Sequence, residues 1–339
     1  MNAAGSSRVT IVVVQRERFS TTKQSLESLF QHTRPPFELI YVDGGSPRRI
    51  ARYLSAESER RGFRLIQLPY HLPPHTARKM AATLAVTPYI VFLDNDVIVS
   101  PDWLEALVEC AEATGADAVT PLICVNEPLH TMVHTAGGVA RICEESGQRR
   151  FEEVMRFDGR PVSDVKDQLK REPTGLIEFH GVLVRRSVFE RFGPLDEAYL
   201  ATSEHLDFCL TVNQRPGSIY FEPGSVITYL APPPITFADL PYYTLRWSDE
   251  WALVSEQHFY RKWNAEYTDR VVRFSVQHRR LGLQRLRRAA LSIVGWRRSH
   301  RFSDWLDATL IGMAKRRDLR AVGKSIAKDA TMPCSEHRN

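Results

Sequence analysis

The chain has 339 residues, of which 43% are hydrophobic and 25% are charged, and its net charge is +5. That length suffices for one large catalytic domain, or for a domain with an appendage. No segment reaches the roughly 18 to 20 apolar residues of a membrane span, and the short polar N-terminus has no signal-peptide pattern, so we expect a cytoplasmic protein. The five cysteines are scattered and never spaced as CxxC, which argues against a zinc site or a disulfide framework.

Strands and helices alternate through the first third of the chain. Four strands are predicted, at residues 9–14 (VTIVVV), 37–42, 63–68 and 89–93. Four helices are predicted between and after them: one capped by Thr21 with Gln24 as capping-box partner, one over 47–60, one over 75–86, and one capped by Ser100. This alternation predicts an α/β protein with a doubly wound, mainly parallel sheet.

The rest of the chain divides into three parts. Residues 115–175 are less regular: short strand signals, ADAVTPLICV and AGGVARI, mix with a polar, charged stretch up to Arg171, and we expect a long mobile loop there. From 176 the pattern predicts a strand, then helices from near Ser187 and Glu204, and the segment IYFEPGSVITYL predicts closing strands. The proline run that follows marks a boundary, so we predict a catalytic domain over 1–232 and a helical, basic region over 233–339.

Aspartates follow two of the predicted strands. Asp43 ends the second strand, and Asp94 and Asp96 end the most hydrophobic one. Ligands of open α/β sheets bind beyond the carboxyl ends of the strands, so these residues can meet in one crevice. Residues two apart in an extended chain face the same side, and two converging carboxylates can share Mg²⁺ or Mn²⁺. The competing interpretation is an Asx turn in which both aspartates bind the local backbone.

The sequence lacks the motifs of several other enzyme classes. The first strand is followed by QRERFS, which has no glycine-rich turn, so the dinucleotide-binding fingerprint is missing. The chain also has no GxxxxGK[ST] P-loop, no GxSxG elbow and no HExxH pair.

The segments before residue 230 resemble the GT-A fold glycosyltransferases of the family 2 type. The resemblance lies in the order and spacing of several stretches: VTIVVV, FELIYVDGGSP, YIVFLDNDVIVSPDWLEAL, GVLVRRSVFERFGPLDEAYL, EHLDFCL and IYFEPGSVITY. It implies transfer of a sugar from a nucleotide-diphosphate donor to an acceptor hydroxyl, usually with inversion and a divalent cation. By the same resemblance Asp43 contacts the nucleotide, Arg78 lies on the donor side, and Asp94 and Asp96 form the DXD motif that binds the metal.

Five positions depart from the family pattern. Val14 and Glu17 replace a proline and an asparagine at the end of the first strand, and Gly44 replaces the second aspartate of DDGS. Lys79 replaces the asparagine of the ARN segment. Tyr229 takes the place of a histidine that is often a further metal ligand. These departures put the metal dependence in question.

The proton acceptor is the least certain residue of the predicted site. In the family it is the aspartate of an ED pair at the start of a helix, and here the segment reads Glu204-His205-Leu206-Asp207. Three interpretations stay open: His205 is the base, Glu204 or Asp207 is the base, or the protein is retaining or inactive. Acidic residues in a first helical turn also favour the helix dipole without any chemistry. His180 is a candidate for the acceptor site, since its segment resembles the acceptor-side strand of the family.

The C-terminal region is rich in arginine, above all over residues 279–301, where apolar residues can share one helical face. Such a helix suits an anionic membrane surface, and equally a solvated basic face on a packed helix. We expect a glycan, lipid-linked or small-molecule acceptor and no nucleic-acid partner. Two rival functions remain: a nucleotidyltransferase, which would carry a glycine-rich loop after the first strand, and a non-catalytic nucleotide-sugar-binding protein that has lost its base.

Overall fold

A computed structural model describes residues 7–145, 147–214, 217–232, 234–284, 305–318 and 320. The strands are β1 (Val9–Val14), β2 (Glu38–Gly44), β3 (Arg64–Leu68), β4 (Tyr89–Asp94), β5 (Val97–Val99), β6 (Ala118–Val125), β7 (Val133–Thr135), β8 (Gly138–Glu145), β9 (Gln148–Met155), β10 (Glu172–Pro173), β11 (Gly181–Arg185) and β12 (Ile219–Tyr229). The helices are α1 (Thr22–His32), α2 (Arg48–Arg61), α3 (Pro74–Ala82), α4 (Trp103–Thr114), α5 (Val162–Val165), α6 (Ser187–Phe192), α7 (Glu204–Val212), α8 (Leu240–Arg246), α9 (Asp249–Trp263) and α10 (Arg270–Gly282).

The main sheet has the strand order β10-β12-β6-β11-β4-β1-β2-β3. The half β4-β1-β2-β3 is parallel, as the alternation of strands and helices predicts. β11 enters antiparallel between β4 and β6, and β12 runs parallel to β6. The predicted doubly wound α/β class is confirmed. Its consequence is that β1, β2 and β4 all end at one edge, where Asp43 and Asp94 lie.

Helices cover both faces of the sheet and bury two separate cores. One core contains apolar residues of α1, α2 and α4, such as Leu26, Leu54 and Trp103. The other contains residues of α3, α6 and α7, and it also contains Phe259 from α9. β4 is completely buried between these layers, which explains why its sequence is continuously apolar.

Three local predictions differ from the structure. Thr21 precedes α1 in a helical conformation and its side chain makes no capping hydrogen bond, so the predicted capping box is absent. Ser100 does not cap α4, because its backbone N–H bonds Val226 O and continues the sheet; the cap position belongs to Asp102, with φ of 59°. Within 115–175 the two strand signals correspond to β6 and β8, but the expected long loop is wrong, because β8 forms a hairpin with β9 that is paired over eight residues of each strand.

The C-terminal helices pack directly onto the predicted catalytic domain. On α9, Ser255 Oγ accepts hydrogen bonds from the backbone N–H groups of Leu200 and Ala201, both at 3.0 Å. The division at 232/233 therefore stays a prediction. The predicted basic segment covers residues 279–301. Within it α10 ends at Gly282, and residues 285–304 lie outside the described part of the chain. The membrane contact of this segment therefore also stays a prediction. None of the helices in the described ranges combines the length and apolarity needed to cross a membrane.

Candidate active site

The turn after β4 places two carboxylates at the edge of the sheet. Asp94 is the last residue of β4, and the backbone N–H of Asn95 bonds Val14 O of the neighbouring β1. The carbonyl of Asp96 accepts from the N–H of Leu230, just after β12. Backbone pairing on both sides thus fixes the turn, and the side chains of Asp94 and Asp96 are fully buried.

Asp94 is held by two arginines and a histidine. Arg78 Nη2 donates to its Oδ1 at 2.7 Å, His180 Nδ1 lies 3.1 Å from its Oδ2, and Arg16 Nε lies 3.8 Å from the same oxygen. Burial alone would raise the pKa of Asp94, but Arg78 and His180 outweigh it and hold that pKa below its ordinary value. Asp94 is therefore ionised at neutral pH.

Asp96 has the opposite environment. Both of its carboxylate oxygens are buried, and neither has a hydrogen-bond partner in the described part of the chain. Burial, and next the neighbouring charge of Asp94, raise the pKa of Asp96 well above its ordinary range. Ligand atoms of Asp94, Asp96 and His180 lie within 4.8 Å of one another, as the donors of one bound metal ion would. An Asx turn does not describe this pair, because Asp96 makes no side-chain bond to the local backbone.

Two arginines, Arg16 and Arg78, lie against Asp94, and a third, Arg246, lies near Arg16 and Glu204. Arg16 Nη1 and Arg78 Nη1 converge on Glu204 Oε1 at 3.3 and 3.5 Å. Arg246, from α8, is fully buried, and its three guanidinium nitrogens lack hydrogen-bond partners among the described residues. Burial, and then the charge of Arg16, lower the pKa of Arg246. The Arg246 guanidinium lies 4.7 Å from the centre of the Trp247 ring and near the charge of Glu204, but its hydrogen-bond donors stay unused among the described residues. Unused buried donors are costly, so this cluster is suited to bind a polyanion.

Asp43 lies at the same sheet edge, at the end of β2. Its carboxylate accepts hydrogen bonds from Ser46 N (3.1 Å), Ser46 Oγ (2.9 Å) and Gln67 Nε2 (3.1 Å). Burial raises the pKa of Asp43 despite these bonds. The glycine at position 44 has a steric reason, because a Cβ there would lie 2.2 Å from Gln15 Nε2.

A cavity of about 350 Å³ opens beside this centre, and we call it the acceptor cavity. Glu17, Glu178, His180, Glu204 and His205 line it on the side of the catalytic domain. Its other wall comes from the C-terminal helices through Trp247, Arg270, Val271, Phe274 and His278. The structure thus brings Glu204 and His205 together, but Asp207 is not part of the lining.

His205 is held between two carboxylates. Its Nε2 lies 3.4 Å from Glu178 Oε1 and 3.5 Å from Glu153 Oε1. Burial would lower the pKa of His205, but the two glutamates outweigh it and raise that pKa to about 9. The imidazole is then a cation at neutral pH, and a cation does not accept a proton from an acceptor hydroxyl.

The two acidic candidates of the same helix are also engaged. Burial would raise the pKa of Glu204, yet Arg16, Arg246 and Arg78 hold it far below its ordinary value. Asp207 accepts hydrogen bonds from three side chains that lie away from the acceptor cavity: Tyr199 Oη at 3.0 Å, Trp263 Nε1 at 2.8 Å and Lys262 Nζ at 2.9 Å. That arrangement is typical of a structural carboxylate.

Sequence reasoning missed four residues of this site. Arg16 lies beside Asp94 and Arg246 lies near Arg16 and Glu204, while Glu153 and Glu178 flank His205. QRERFS carried a signal for Arg16, since a charged stretch directly after a buried strand must lie at the ligand edge of the sheet. The sequence carried no signal for Arg246, which reaches the site from α8, or for Glu153, which reaches it from the hairpin in the region predicted as a loop.

Comparison with known proteins agrees with this geometry. Residues 10–193, more than half of the chain, match the family Glycosyl transferase family 2. The chain belongs to this family and has its GT-A fold.

Curated relatives are distant and much longer. The chain is 27% identical over 218 residues to the O-antigen biosynthesis protein RfbC of Myxococcus xanthus, which covers 62% of this chain and 16% of RfbC. It is 24% identical over 219 residues to the uncharacterized protein y4gI of Sinorhizobium fredii, covering 61% of this chain and 23% of y4gI. The chain thus spans less than a quarter of the length of either relative.

Among solved structures, a crystal structure of GalNAc-T7 with UDP, GalNAc and Mn²⁺ aligns with a TM-score of 0.49 and 16% identity, over 74% of this chain and 50% of that one. The TarS protein of S. aureus aligns with a TM-score of 0.48 and 12% identity, over 76% of this chain and 43% of that one.

Proposed function

We propose that this glycosyltransferase moves a sugar from a nucleotide-diphosphate donor to the hydroxyl of a glycan acceptor, with inversion and with a divalent cation. The observation that carries the proposal is the carboxylate of Asp96, which is buried, unpartnered and next to the ionised Asp94. Two converging carboxylates in a dry site repel each other unless a cation joins them. A structural role would instead have supplied Asp96 with hydrogen-bond donors.

The donor set fits such an ion. Asp94 and Asp96 supply oxygen atoms, and His180 supplies an imidazole nitrogen from the start of β11. The family often has a histidine ligand at the position that Tyr229 occupies in this chain, and we propose that His180 is the ligand instead. The rings of His180 and Tyr229 are stacked, with their centroids 4.0 Å apart. Because Mg²⁺ prefers an all-oxygen shell and imidazole suits softer ions, we propose Mn²⁺ rather than Mg²⁺. A bound cation neutralises charge on the leaving diphosphate.

The arginine cluster suits the diphosphate itself. Arg16 and Arg78 already share the charges of Asp94 and Glu204, whereas Arg246 is free to donate to an incoming phosphate. Asp43 lies one strand away at the same edge, where we propose that it contacts the nucleoside. The donor would then extend from Asp43 along the strand ends to the aspartate pair.

For the proton acceptor we propose Glu178. It lines the acceptor cavity, and its Oε1 lies 3.4 Å from His205 Nε2. His205 donates instead to Glu153, and its positive charge faces Glu178 at 3.4 Å. The family's base position thus holds a cation that orients a carboxylate from the segment just before β11. Glu178→Gln should abolish transfer while leaving donor binding intact, whereas equal losses in Glu178→Gln and Glu153→Gln would reject this choice of residue.

Two observations support a glycan as the acceptor. The acceptor cavity has carboxylates and imidazoles on one wall and Trp247 and Phe274 on the other, a mixture that suits the hydroxyls and the apolar face of a sugar. The relative RfbC is described as an O-antigen biosynthesis protein, and O-antigen is a glycan. We propose a glycan acceptor on these grounds.

A donor panel tests the proposal. UDP-, GDP-, dTDP- and CDP-sugars are each added with Mn²⁺, with Mg²⁺ or with EDTA, and the melting temperature is recorded, since a ligand of the folded state raises it by mass action. We expect one nucleotide to stabilise the protein in a Mn²⁺-dependent way that Asp96→Asn removes. The absence of stabilisation by every donor would contradict the proposal. Donor binding without transfer or donor hydrolysis would favour a non-catalytic sugar-binding protein, for which the imidazolium at position 205 is the supporting observation.

A further inference from the structure

A second cavity of about 370 Å³ adjoins the acceptor cavity, and we call it the side cavity. The two cavities share five lining residues: Glu153, Ser203, Leu206, Arg270 and Val271. The side cavity lies between the hairpin β8–β9 and the C-terminal helices. It therefore extends the acceptor cavity away from the aspartate pair.

Glu256, on α9, is a buried polar group of this cavity that has no role in the transfer described above. Its side chain is 1% exposed, and its Oε1 accepts a 2.6 Å hydrogen bond from Ser203 Oγ. Its other oxygen, Oε2, is buried and has no hydrogen-bond partner among the described residues. Since buried polar atoms in native proteins are normally paired, Oε2 is an acceptor to which a ligand can donate.

Aromatic rings form another part of the lining. Phe151 of β9, Tyr260 of α9 and Tyr267 all face the side cavity. The rings of Tyr260 and Tyr267 meet edge to face, with centroids 5.4 Å apart, and Tyr267 is 47% exposed. A ring that is held in place and still open to solvent offers a flat apolar surface to a ligand.

The walls of the side cavity are fixed to each other. The N–H of Glu266 donates to Arg149 O at 2.7 Å, and Arg150 Nε contacts Glu266 Oε2 at 3.1 Å. These bonds attach the hairpin to the segment after α9. The side cavity is therefore built into the fold, and it presents an orphan acceptor, aromatic faces and the charged side chains of Arg150 and Arg270 together.

We propose that the side cavity is a subsite for the second sugar unit of the acceptor, so that the acceptor is an oligosaccharide of at least two units. Hydroxyl groups would donate to Glu256 Oε2 and accept from Arg150 or Arg270, while the apolar face of the ring stacks on Tyr260 or Tyr267. This inference rests on the proposed function, because it takes the adjoining cavity to hold the sugar that carries the reacting hydroxyl.

A glycan array tests the subsite if it pairs each oligosaccharide with its terminal monosaccharide on the same linker. The full chain is applied with its donor and Mn²⁺, and transfer of labelled sugar is measured for both members of each pair. We expect the oligosaccharide to be preferred, and Tyr267→Ala to reduce that preference by roughly tenfold, which is the scale of losing one aromatic contact. Glu256→Gln keeps an oxygen that accepts the Ser203 hydrogen bond, and it should reduce the preference for the oligosaccharide severalfold. Phe237→Ala, at an 80% exposed aromatic outside both cavities, is the control and should leave it unchanged.

The outcomes separate the subsite from the function on which it rests. Equal transfer to both members of the pairs would overturn the subsite and leave the glycosyltransferase activity standing. If the protein binds and hydrolyses its donor but transfers sugar to neither member of any pair, the subsite is likewise overturned and the glycosyltransferase function is not. A protein that neither binds nor hydrolyses any donor would fail the proposed function, and the subsite with it.

Discussion

Arg78 donates a 2.7 Å hydrogen bond to Asp94, and both side chains are completely shielded from solvent. This pair makes the two neighbouring aspartates unequal: Asp94 is compensated within the protein, and Asp96 is not. This asymmetry is why we propose a cation site rather than a structural turn, because a second arginine bonded to Asp96 would have removed the need for an ion.

The first prediction concerns Asp96→Asn. Burial and Asp94 raise the pKa of Asp96, so the metal-free protein must either bury an unpartnered charge or take up a proton on folding. The neutral amide avoids that cost, so metal-free Asp96→Asn should be more stable than the metal-free wild type, by about 1 kcal/mol or roughly 2–4 °C in melting temperature. The same variant should lose the stabilisation by Mn²⁺. Thermal unfolding with EDTA and with Mn²⁺ measures both effects.

Asp94→Asn is the matched control, and it should behave in the opposite way. It leaves Arg78 buried without its carboxylate, and breaking a buried ion pair costs roughly 3–5 kcal/mol. Destabilisation of equal size in both variants would mean that Asp96 has a structural role.

Arg246→Met tests the proposed phosphate site. Burial of an unpaired guanidinium beside Arg16 is unfavourable, so the variant should unfold at the same or a higher temperature without donor. Its donor affinity should fall by about tenfold to a hundredfold through the loss of a charge-assisted hydrogen bond. Calorimetric titration with the donor and with its free nucleoside diphosphate measures this.

The control for Arg246 is Arg279→Met. Arg279 is equally buried, but it is bonded to Trp247 O and Asp249, so its loss should destabilise the fold. An Arg246→Met variant that binds donor as well as the wild type would exclude Arg246 from the donor site.

A stability difference that depends on pH should report the charge of His205. Its pKa is raised from 6.5 to about 9, so the ion pairs with Glu178 and Glu153 stabilise the fold fully below pH 6.5. They are lost as the pH rises through about 9, and the shift corresponds to about 3 kcal/mol. Urea unfolding should therefore show His205→Gln to be much less stable than the wild type at pH 7 and less so at pH 10.

His134→Gln is the control for this titration. His134 lines the same cavity, but burial and the neighbouring His180 lower its pKa to about 4, so it is neutral at both pH values. The effect of this control should not change between pH 7 and pH 10. If the stability difference between His205→Gln and the wild type is also the same at pH 7 and pH 10, the His205 imidazole is not charged.

Glu256 should have the reverse pH dependence. Burial, despite the Ser203 hydrogen bond, raises its pKa from 4.5 to about 7, so the folded state binds the proton more tightly than the unfolded state. Stability is then lost as the pH rises from 4.5 through 7, by an amount of about 3 kcal/mol. Glu256→Gln removes this loss and should gain stability relative to the wild type between pH 5 and pH 8. Identical pH profiles for the two proteins would mean that Glu256 ionises freely.

The sequence predicted those parts of the molecule that depend on local pattern. β1, β4 and the helices after them follow from apolar periodicity, and Asp43, Asp94 and Asp96 follow from their places at strand ends. The charge state of His205 could not be predicted, since Glu153 and Glu178 reach it from β9 and from the approach to β11. The position of Arg246 also depends on how α8 packs against the sheet, which no local pattern encodes.

Release of nucleoside diphosphate from the preferred donor tests the central claim most directly. The rate is measured for the wild type and for Asp96→Asn, first in EDTA and then after Mn²⁺ is restored. We predict release by the wild type only with Mn²⁺, and none above background by Asp96→Asn under either condition. Release at the full rate in EDTA, or by Asp96→Asn, would contradict a catalytic cation held between Asp94 and Asp96.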